Sequence, residues 1–481
     1  MALVLVLTGC ASQNSGGTGQ GIEPDTPVTL KVAYINDQAF YQSYGNIFSA
    51  KYPNVQFEVI STMEIAMSDD PIQAMIDLVD SSQPDIVMLT MAQYEALAAE
   101  GRLYELDSIM QQTGFDLNGL VEGVVQLLRD AGAGKLYGLS PTFNTNALYY
   151  NKDLFRQYGV PEPTDNMTWE EVLQLAARFP SDGDDDTRIY GYTGSMFAQD
   201  AFKLIQDMAA AKGFNYVNAD ATVLTMSEPE WREIFQTVVE GYAAKTIFQP
   251  TPPQQQQGNA GMAISINGLL FNSGRAAMMV DNATMINMLG VAGRMGGARG
   301  GANAAGGGGP AASVLQQEID WGVVTAPVDA ATPDMTSAYT VSQIFAVNAA
   351  SSQSAAAWSF IAYVHGDEAA KIRSNTMVEL QSRVGYETTS SGVNLESFYK
   401  LKPLPIETAS WYPKGFRSSF TAIANEEISA AVGGGKTIDE AFDSLLQRGS
   451  DALAEANLSG EKEQGGGGGG SFGVSSIFFG G

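Results

Sequence analysis

Apolar and polar positions alternate along Val28-Thr29-Leu30-Lys31-Val32-Ala33-Tyr34 and again along Val55-Gln56-Phe57-Glu58-Val59-Ile60. That two-residue period marks a strand with one buried face. Between the two lies a helix-length segment, Tyr41 to Lys51. The apolar run Asp85-Ile86-Val87-Met88-Leu89 follows a second helix that opens at Asp70-Pro71, where Asp caps and Pro suits the first turn. A βαβαβ order predicts a parallel sheet covered on both faces, with ligand positions at the carboxyl ends of its strands. The loops after Tyr34 and after Leu89 are therefore candidate site positions.

Farther along, Ser or Thr followed three residues later by Glu predicts capping boxes at Thr168/Glu171, Ser227/Glu230 and Thr437/Glu440. Tyr339 to Val347 reads as a strand and Ala355 to Val364 as the helix after it. Two stretches have no regular pattern: the Gly/Ala-rich insert 295–313, and the tail 464–481 with its six consecutive glycines. No repeat of 20 to 50 residues is present.

Composition narrows the function classes. The chain has 481 residues, 44% of them hydrophobic, enough for two domains with large cores. Acidic residues number 53 against 26 basic, a formal charge of −27. Phosphate binding needs a basic footprint, so nucleic acid is excluded as a partner. The charge keeps an exported protein soluble and monomeric, and it disfavours anionic solutes. No segment after residue 10 approaches the ~18 apolar residues of a membrane span.

Cys10, the only cysteine, closes Leu7-Thr8-Gly9-Cys10. This tetrapeptide resembles a bacterial lipobox, whose cysteine becomes the mature amino terminus and carries a diacylglycerol. Residues 1–10 then read as a truncated lipoprotein signal peptide. Ala2 to Leu7 is short and lacks a preceding Lys or Arg, so the expected start lies upstream of Met1. Residues 11–27, rich in Gly, Ser, Gln and Asn, read as a flexible tether of roughly 20 to 25 Å.

Ala147-Leu148-Tyr149-Tyr150-Asn151-Lys152-Asp153-Leu154-Phe155, followed by Met167-Thr168-Trp169-Glu170-Glu171-Val172-Leu173, resembles the extracellular solute-binding proteins, family 1, that serve ABC importers. Leu136-Tyr137-Gly138-Leu139-Ser140-Pro141, Phe271-Asn272-Ser273-Gly274-Arg275-Ala276-Ala277-Met278 and Thr437-Ile438-Asp439-Glu440-Ala441 support it in order and spacing, over about residues 28 to 455. The resemblance implies an α/β fold of two lobes (type II), each a mostly parallel sheet flanked by helices, joined by hinge strands that close on a solute. Lobe one is expected at 28–143 and 341–392, and lobe two at 144–340 and 393–463. Crossings are expected at Pro141 to Asn146 and near Tyr339 to Val347.

In such a cleft, aromatic faces stack on sugar rings while amides and carboxylates bond hydroxyls. Lobe one offers Asn36, Asp37 and Phe40 after the first strand, Met91 and Gln93 after the third, and Phe143 and Asn144 at the hinge. Lobe two offers Phe197, Asp281, Asn282, Trp411 and Arg417. Each has a plainer alternative: Phe40 anchoring a helix, Phe143 packing the hinge, Asn36 and Asp37 capping a helix, Trp411 in the core, Arg417 as a surface charge. Sugar binders of the maltose type carry a tryptophan where this chain has Asp281-Asn282-Ala283-Thr284, which argues against maltodextrin. Alternating carboxylates Asp182, Asp184 and Asp186 are a calcium candidate, but Thr187 and Thr193 stand where the loop needs Gly and Glu, which favours a solvated turn.

The expected function is delivery of a neutral oligosaccharide to the permease subunits of an ABC importer by a lipid-anchored monomer on the outer face of the cytoplasmic membrane. No cofactor is expected. One histidine, His365, and no HExxH, GxSxG or SxxK leave nucleophilic and zinc chemistry without their usual parts. The rivals are a solute-binding subunit of a membrane sensor and an extracellular glycoside hydrolase using paired carboxylates.

Overall fold

The first lobe is built on a five-stranded sheet in the order Val55–Ser61, Val28–Tyr34, Ile86–Leu89, Ile344–Val347, Gly138–Leu139, and the second on a four-stranded sheet in the order Tyr190–Thr193, Ala276–Asn282, Asn146–Asn151, Trp321–Thr325. The computed structural model describes residues 26–184, 187–195, 200–250, 270–289, 319–374, 379–388, 394–406, 409 and 411–464. In chain order the strands are β1 (Val28–Tyr34), β2 (Val55–Ser61), β3 (Ile86–Leu89), β4 (Gly138–Leu139), β5 (Thr142–Phe143), β6 (Asn146–Asn151), β7 (Tyr190–Thr193) and β8 (Ala276–Asn282). They continue with β9 (Trp321–Thr325), β10 (Met335–Thr336), β11 (Ile344–Val347), β12 (Leu380–Gln381), β13 (Lys402–Pro403), β14 (Trp411–Pro413) and β15 (Lys462–Gln464).

β1 pairs in parallel with β2 and β3, as the alternation predicts. Each sheet has one reversed strand, while the others run the same way, so both are mostly parallel as expected. β11 is antiparallel to β3 and to β4, and β6 is antiparallel to β8 and β9. The cause is the crossing of the chain between lobes. A strand that enters a lobe at the hinge runs away from it, opposite to strands that end there.

Two apolar clusters follow from the strand periods. In β6, Leu148 and Tyr150 face the second-lobe helices Trp169–Ala176, Phe202–Ala211 and Pro229–Ala243, while Ala147 and Tyr149 join the cluster that runs through the hinge into lobe one. Lobe one centres on Phe40, Phe48, Phe345 and Phe360, all fully buried.

Asp70 accepts from the Gln73 amide at 2.9 Å with Pro71 in the first turn. The expected Tyr41–Lys51 helix begins earlier, at Asp37, and contains a π-turn over Tyr41–Gly45. Gly45 lets that turn close, since a Cβ there would lie 2.7 Å from the Tyr41 ring and 2.9 Å from the Phe40 ring. Thr168 and Thr437 form their capping boxes. The Ser227/Glu230 box does not form: Pro229 takes the first helical position and makes Glu228 the cap. Of Tyr339 to Val347, only Ile344–Val347 is strand. Among the described residues no helix is long and apolar enough to cross a membrane.

Candidate functional site

Three chain segments lie side by side between the two sheets. β5 pairs with β12 through Leu380↔Phe143 and Gln381↔Thr142, and Asn144 and Thr340 exchange backbone hydrogen bonds of 2.8 Å in both directions. Phe143 stacks on Tyr339 at 5.0 Å and meets the Tyr399 edge at 5.2 Å, which makes it hinge packing. Its 6% exposure removes it from the list of solute-stacking rings. Asn144 is half-buried beside it, its backbone committed to the hinge.

The hinge brings the carboxyl ends of β1, β2 and β3 toward the hinge ends of β6, β8 and β9. On the lobe-one side, Asn36 Oδ1 accepts from the Ala39 amide at 2.8 Å, so its amide N–H groups face outward; Asp37 beside it is exposed. Phe40 is a correction. It is 0% exposed, enclosed by Tyr34, Tyr41, Phe57 and Phe360 with ring centroids 4.9 to 5.8 Å away. No face is left for a sugar. Gln93 is a second correction: its Oε1 accepts from the Thr90 amide at 3.0 Å and its Nε2 donates to the Pro71 carbonyl at 3.0 Å. Thr90 and Gln93 form a capping box that a search for Glu at the third position misses. Met91 remains half-buried at the start of that helix.

On the lobe-two side, Asp281 is buried at the end of β8 and accepts from Ser195 Oγ at 3.0 Å and from the Asn282 amide at 2.8 Å. Asn282, opposite Asn146, accepts at Oδ1 from the Thr284 amide at 2.9 Å. Trp411 opens β14 and pairs with Gln464. Successive strand residues face opposite ways, and Tyr412 points into the lobe-two core, so Trp411 points away from it, half-buried. Arg417 lies 5.4 Å from the Tyr412 ring and hydrogen-bonds Tyr216, whose hydroxyl burial pushes up. Arg417 therefore braces the turn behind Trp411. Lys414 of that turn is ion-paired with Glu461 at 3.0 Å, which with a smaller influence of Asp69 in the loop after β2 strengthens its hold on its proton.

That β2 loop was absent from the sequence candidates. It carries Met63, 47% exposed, and Met67, 85% exposed. Two large apolar side chains exposed at a strand's carboxyl end were the available signal. Gln343, half-buried before β11 and hydrogen-bonded by Tyr44 at 2.6 Å, was also absent from those candidates.

Phe197, Asp186 and Cys10 lie outside the described residues, as does the insert 295–313. Asp184 Oδ1 accepts from the Thr187 amide at 2.9 Å and its hydroxyl at 2.7 Å, which is the turn geometry, while Asp182 is exposed. A groove of about 480 Å³ lies elsewhere, on the outer helices of lobe one, lined by Lys51, Tyr52, Phe115, Trp358, Tyr363 and Glu368. Lys51 pairs there with Glu368 at 2.5 Å, and Asp367 with Arg383 at 3.0 Å.

Residues 32–371 match the family described as bacterial extracellular solute-binding protein. The chain belongs to that family. It is 25% identical over 261 residues to a mannitol-binding protein of Pseudomonas aeruginosa, covering 53% of this chain and 54% of the relative. It is 25% identical over 174 residues to an arabinooligosaccharide-binding protein of Bacillus subtilis, covering 36% of this chain and 38% of that one. The chain thus spans about half or less of the length of these curated relatives. A sugar transporter of Rhizobium etli, solved in an open conformation, superposes with a TM-score of 0.61 at 20% identity, over 88% of this chain and 99% of the other. That likeness shows the shared two-lobe fold, and family membership sets the class: an extracytoplasmic solute-binding protein.

Proposed function

We propose that this solute-binding protein captures a neutral oligosaccharide or polyol between its lobes and hands it to the permease subunits of an ABC importer. The observation that carries the reading is the composition of the two strand-end rims. Asn36 and Asn282 each have the amide oxygen tied to backbone, which turns their N–H donors outward, and Trp411 offers an aromatic face. Sugar hydroxyls need such donors beside an apolar platform. Asp37 adds an exposed acceptor, and the −27 charge of the chain opposes an anionic solute. Relatives named for mannitol and for arabinooligosaccharide bind the same chemical class.

Lobe limits of 28–143 with 341–392, and 144–340 with 393–463, belong to this reading, as does a lipid on Cys10 that tethers a monomer through residues 11–27. The test is calorimetry with D-mannitol, arabinotriose, maltotriose and a uronic acid trimer. Binding of a neutral member with the sugar recovered intact supports the reading. Preference for the uronic trimer, or release of shorter sugars, contradicts it.

A further inference from the structure

The loop after β2 is bound to the loop after β1, which sets Met63 beside Asn36. The parallel register reaches Tyr34↔Ser61 and continues past the strand ends, where the Thr62 amide donates to the Tyr34 carbonyl at 2.9 Å. Ser61 Oγ then donates to the Ile35 carbonyl at 2.9 Å and accepts from the Met63 amide at 3.4 Å. One hydroxyl thus joins the peptide that enters Asn36 to the peptide that enters Met63. Asn36 Oδ1 is held by the Ala39 amide at 2.8 Å, while its Nδ2 donors meet no acceptor among the described residues.

Residues 62–68 wind with a three-residue period. The Ile65 amide donates to the Thr62 carbonyl at 3.1 Å, Met67 to Glu64 at 3.2 Å and Ser68 to Ile65 at 3.1 Å. Thr62, Ile65 and Ser68 therefore share the inner line: the first two are buried, Ser68 is half-buried, and Ile65 packs into the lobe-one core. The positions between them, Met63, Glu64, Ala66 and Met67, are all exposed. Ser68 Oγ closes the turn by donating to the Ile65 carbonyl at 2.8 Å. The turn is thus fixed by its inner residues and its backbone, with neither methionine side chain spent on packing. Met63 and Met67 are the only exposed methionines among the described residues. Two such side chains on a braced turn at a strand's carboxyl end form a contact surface.

We propose that Met63 and Met67 form the lobe-one platform for the C–H face of a sugar ring, with the Asn36 amide donating to a hydroxyl at the edge of that ring. The proposal rests on the solute-binding reading above and narrows its solute to a cyclic glycan. A sugar ring presents a patch of C–H groups rimmed by hydroxyls, so a polar donor beside an apolar surface matches one sugar unit. An acyclic polyol has no rigid face of this kind. Thioether side chains are unbranched and polarisable, and they mould to a ring without the fixed plane of an indole. Lobe one thereby gains the apolar surface that Phe40, enclosed in the core, does not supply.

The experiment uses the full chain, with the tighter of arabinotriose and maltotriose as probe and D-mannitol as comparator. Met63→Gln combined with Met67→Gln keeps side-chain length but removes the apolar surface. Calorimetry should show the probe weakened at least about fivefold, with the apo melting temperature unchanged. Met63→Leu combined with Met67→Leu should stay within about twofold of the wild type, since the surface remains apolar. Asn36→Ser keeps the helix cap and loses the amide donors, and it should weaken the probe by about fivefold as well. In the wild type, saturating probe should slow sulfoxide formation at Met63 and Met67 by hydrogen peroxide, read by peptide mass spectrometry. Wild-type affinity in the double glutamine variant or in Asn36→Ser, or equal oxidation with and without probe, overturns the platform and leaves the solute-binding reading standing. Binding of D-mannitol with neither trisaccharide bound does the same. If no neutral glycan or polyol binds the wild type, the solute class and the platform fall together.

Discussion

Phe40 and Trp411 are both aromatic and both near strand ends, yet the structure separates them, and truncating each tests the separation. Phe40 sits at 0% exposure among Tyr34, Phe57 and Phe360. Removing a fully enclosed ring costs the transfer of its apolar surface plus the cavity left behind, about 3 to 5 kcal/mol for Phe→Ala. Phe57 cannot collapse into the space freely, because it is itself packed against Phe360 of the helix Ser354–Val364. Trp411 faces out of the lobe-two core, so Trp411→Ala should change apo stability by less than about 1 kcal/mol. Loss of a stacking platform should weaken a glycan by roughly 1 to 2 kcal/mol, about five- to thirtyfold. Guanidinium unfolding curves and calorimetry on both variants supply the two axes. The assignment fails if Phe40→Ala unfolds like the wild type while losing its solute, or if Trp411→Ala is strongly destabilised with its affinity intact.

His365 caps the end of the helix Ser354–Val364: it is buried, with Nδ1 2.7 Å from the Ile361 carbonyl, and burial pushes it down to about 3. It stays neutral when folded but takes a proton below about 6.5 when unfolded, so its contribution is present above that pH and is lost as pH falls toward 3. Over the whole window this amounts to roughly 4 to 5 kcal/mol. His365→Gln should flatten the stability profile between pH 6.5 and 4 in denaturant titrations, and an unchanged slope would refute it. Gly191→Ala should lose roughly 1 to 3 kcal/mol in the same assay, since its Cβ would lie 2.0 Å from the Ala176 carbonyl oxygen, and a neutral result would be incompatible with that packing. Metabolic labelling with a fatty acid should mark the full-length wild type in a bacterium and not Cys10→Ala; equal labelling would exclude the anchor.

The parts of the fold that were legible are those governed by short-range periodicity. β1, β2 and the Asp70-Pro71 helix start follow directly from alternation and caps. The antiparallel β11 and β6 did not, because strand direction is set by crossings between distant segments, as the pairing of residues 142–143 with 380–381 illustrates. The same logic governs the site. Asn36 and Asn282 sit at strand ends and were visible as such, whereas Gln93 was spent on a cap and Phe40 on the core, outcomes that depend on tertiary neighbours. Gln343 carries no local signal at all, since its partner Tyr44 lies 299 residues away.

Lobe closure around a neutral solute is the claim on which the other readings depend. Small-angle scattering during titration with the tightest neutral glycan of the panel tests it directly. The radius of gyration should fall and saturate at one equivalent, with the glycan recovered unchanged afterwards. A radius that stays constant while calorimetry reports saturation, or a glycan recovered as shorter fragments, would contradict it.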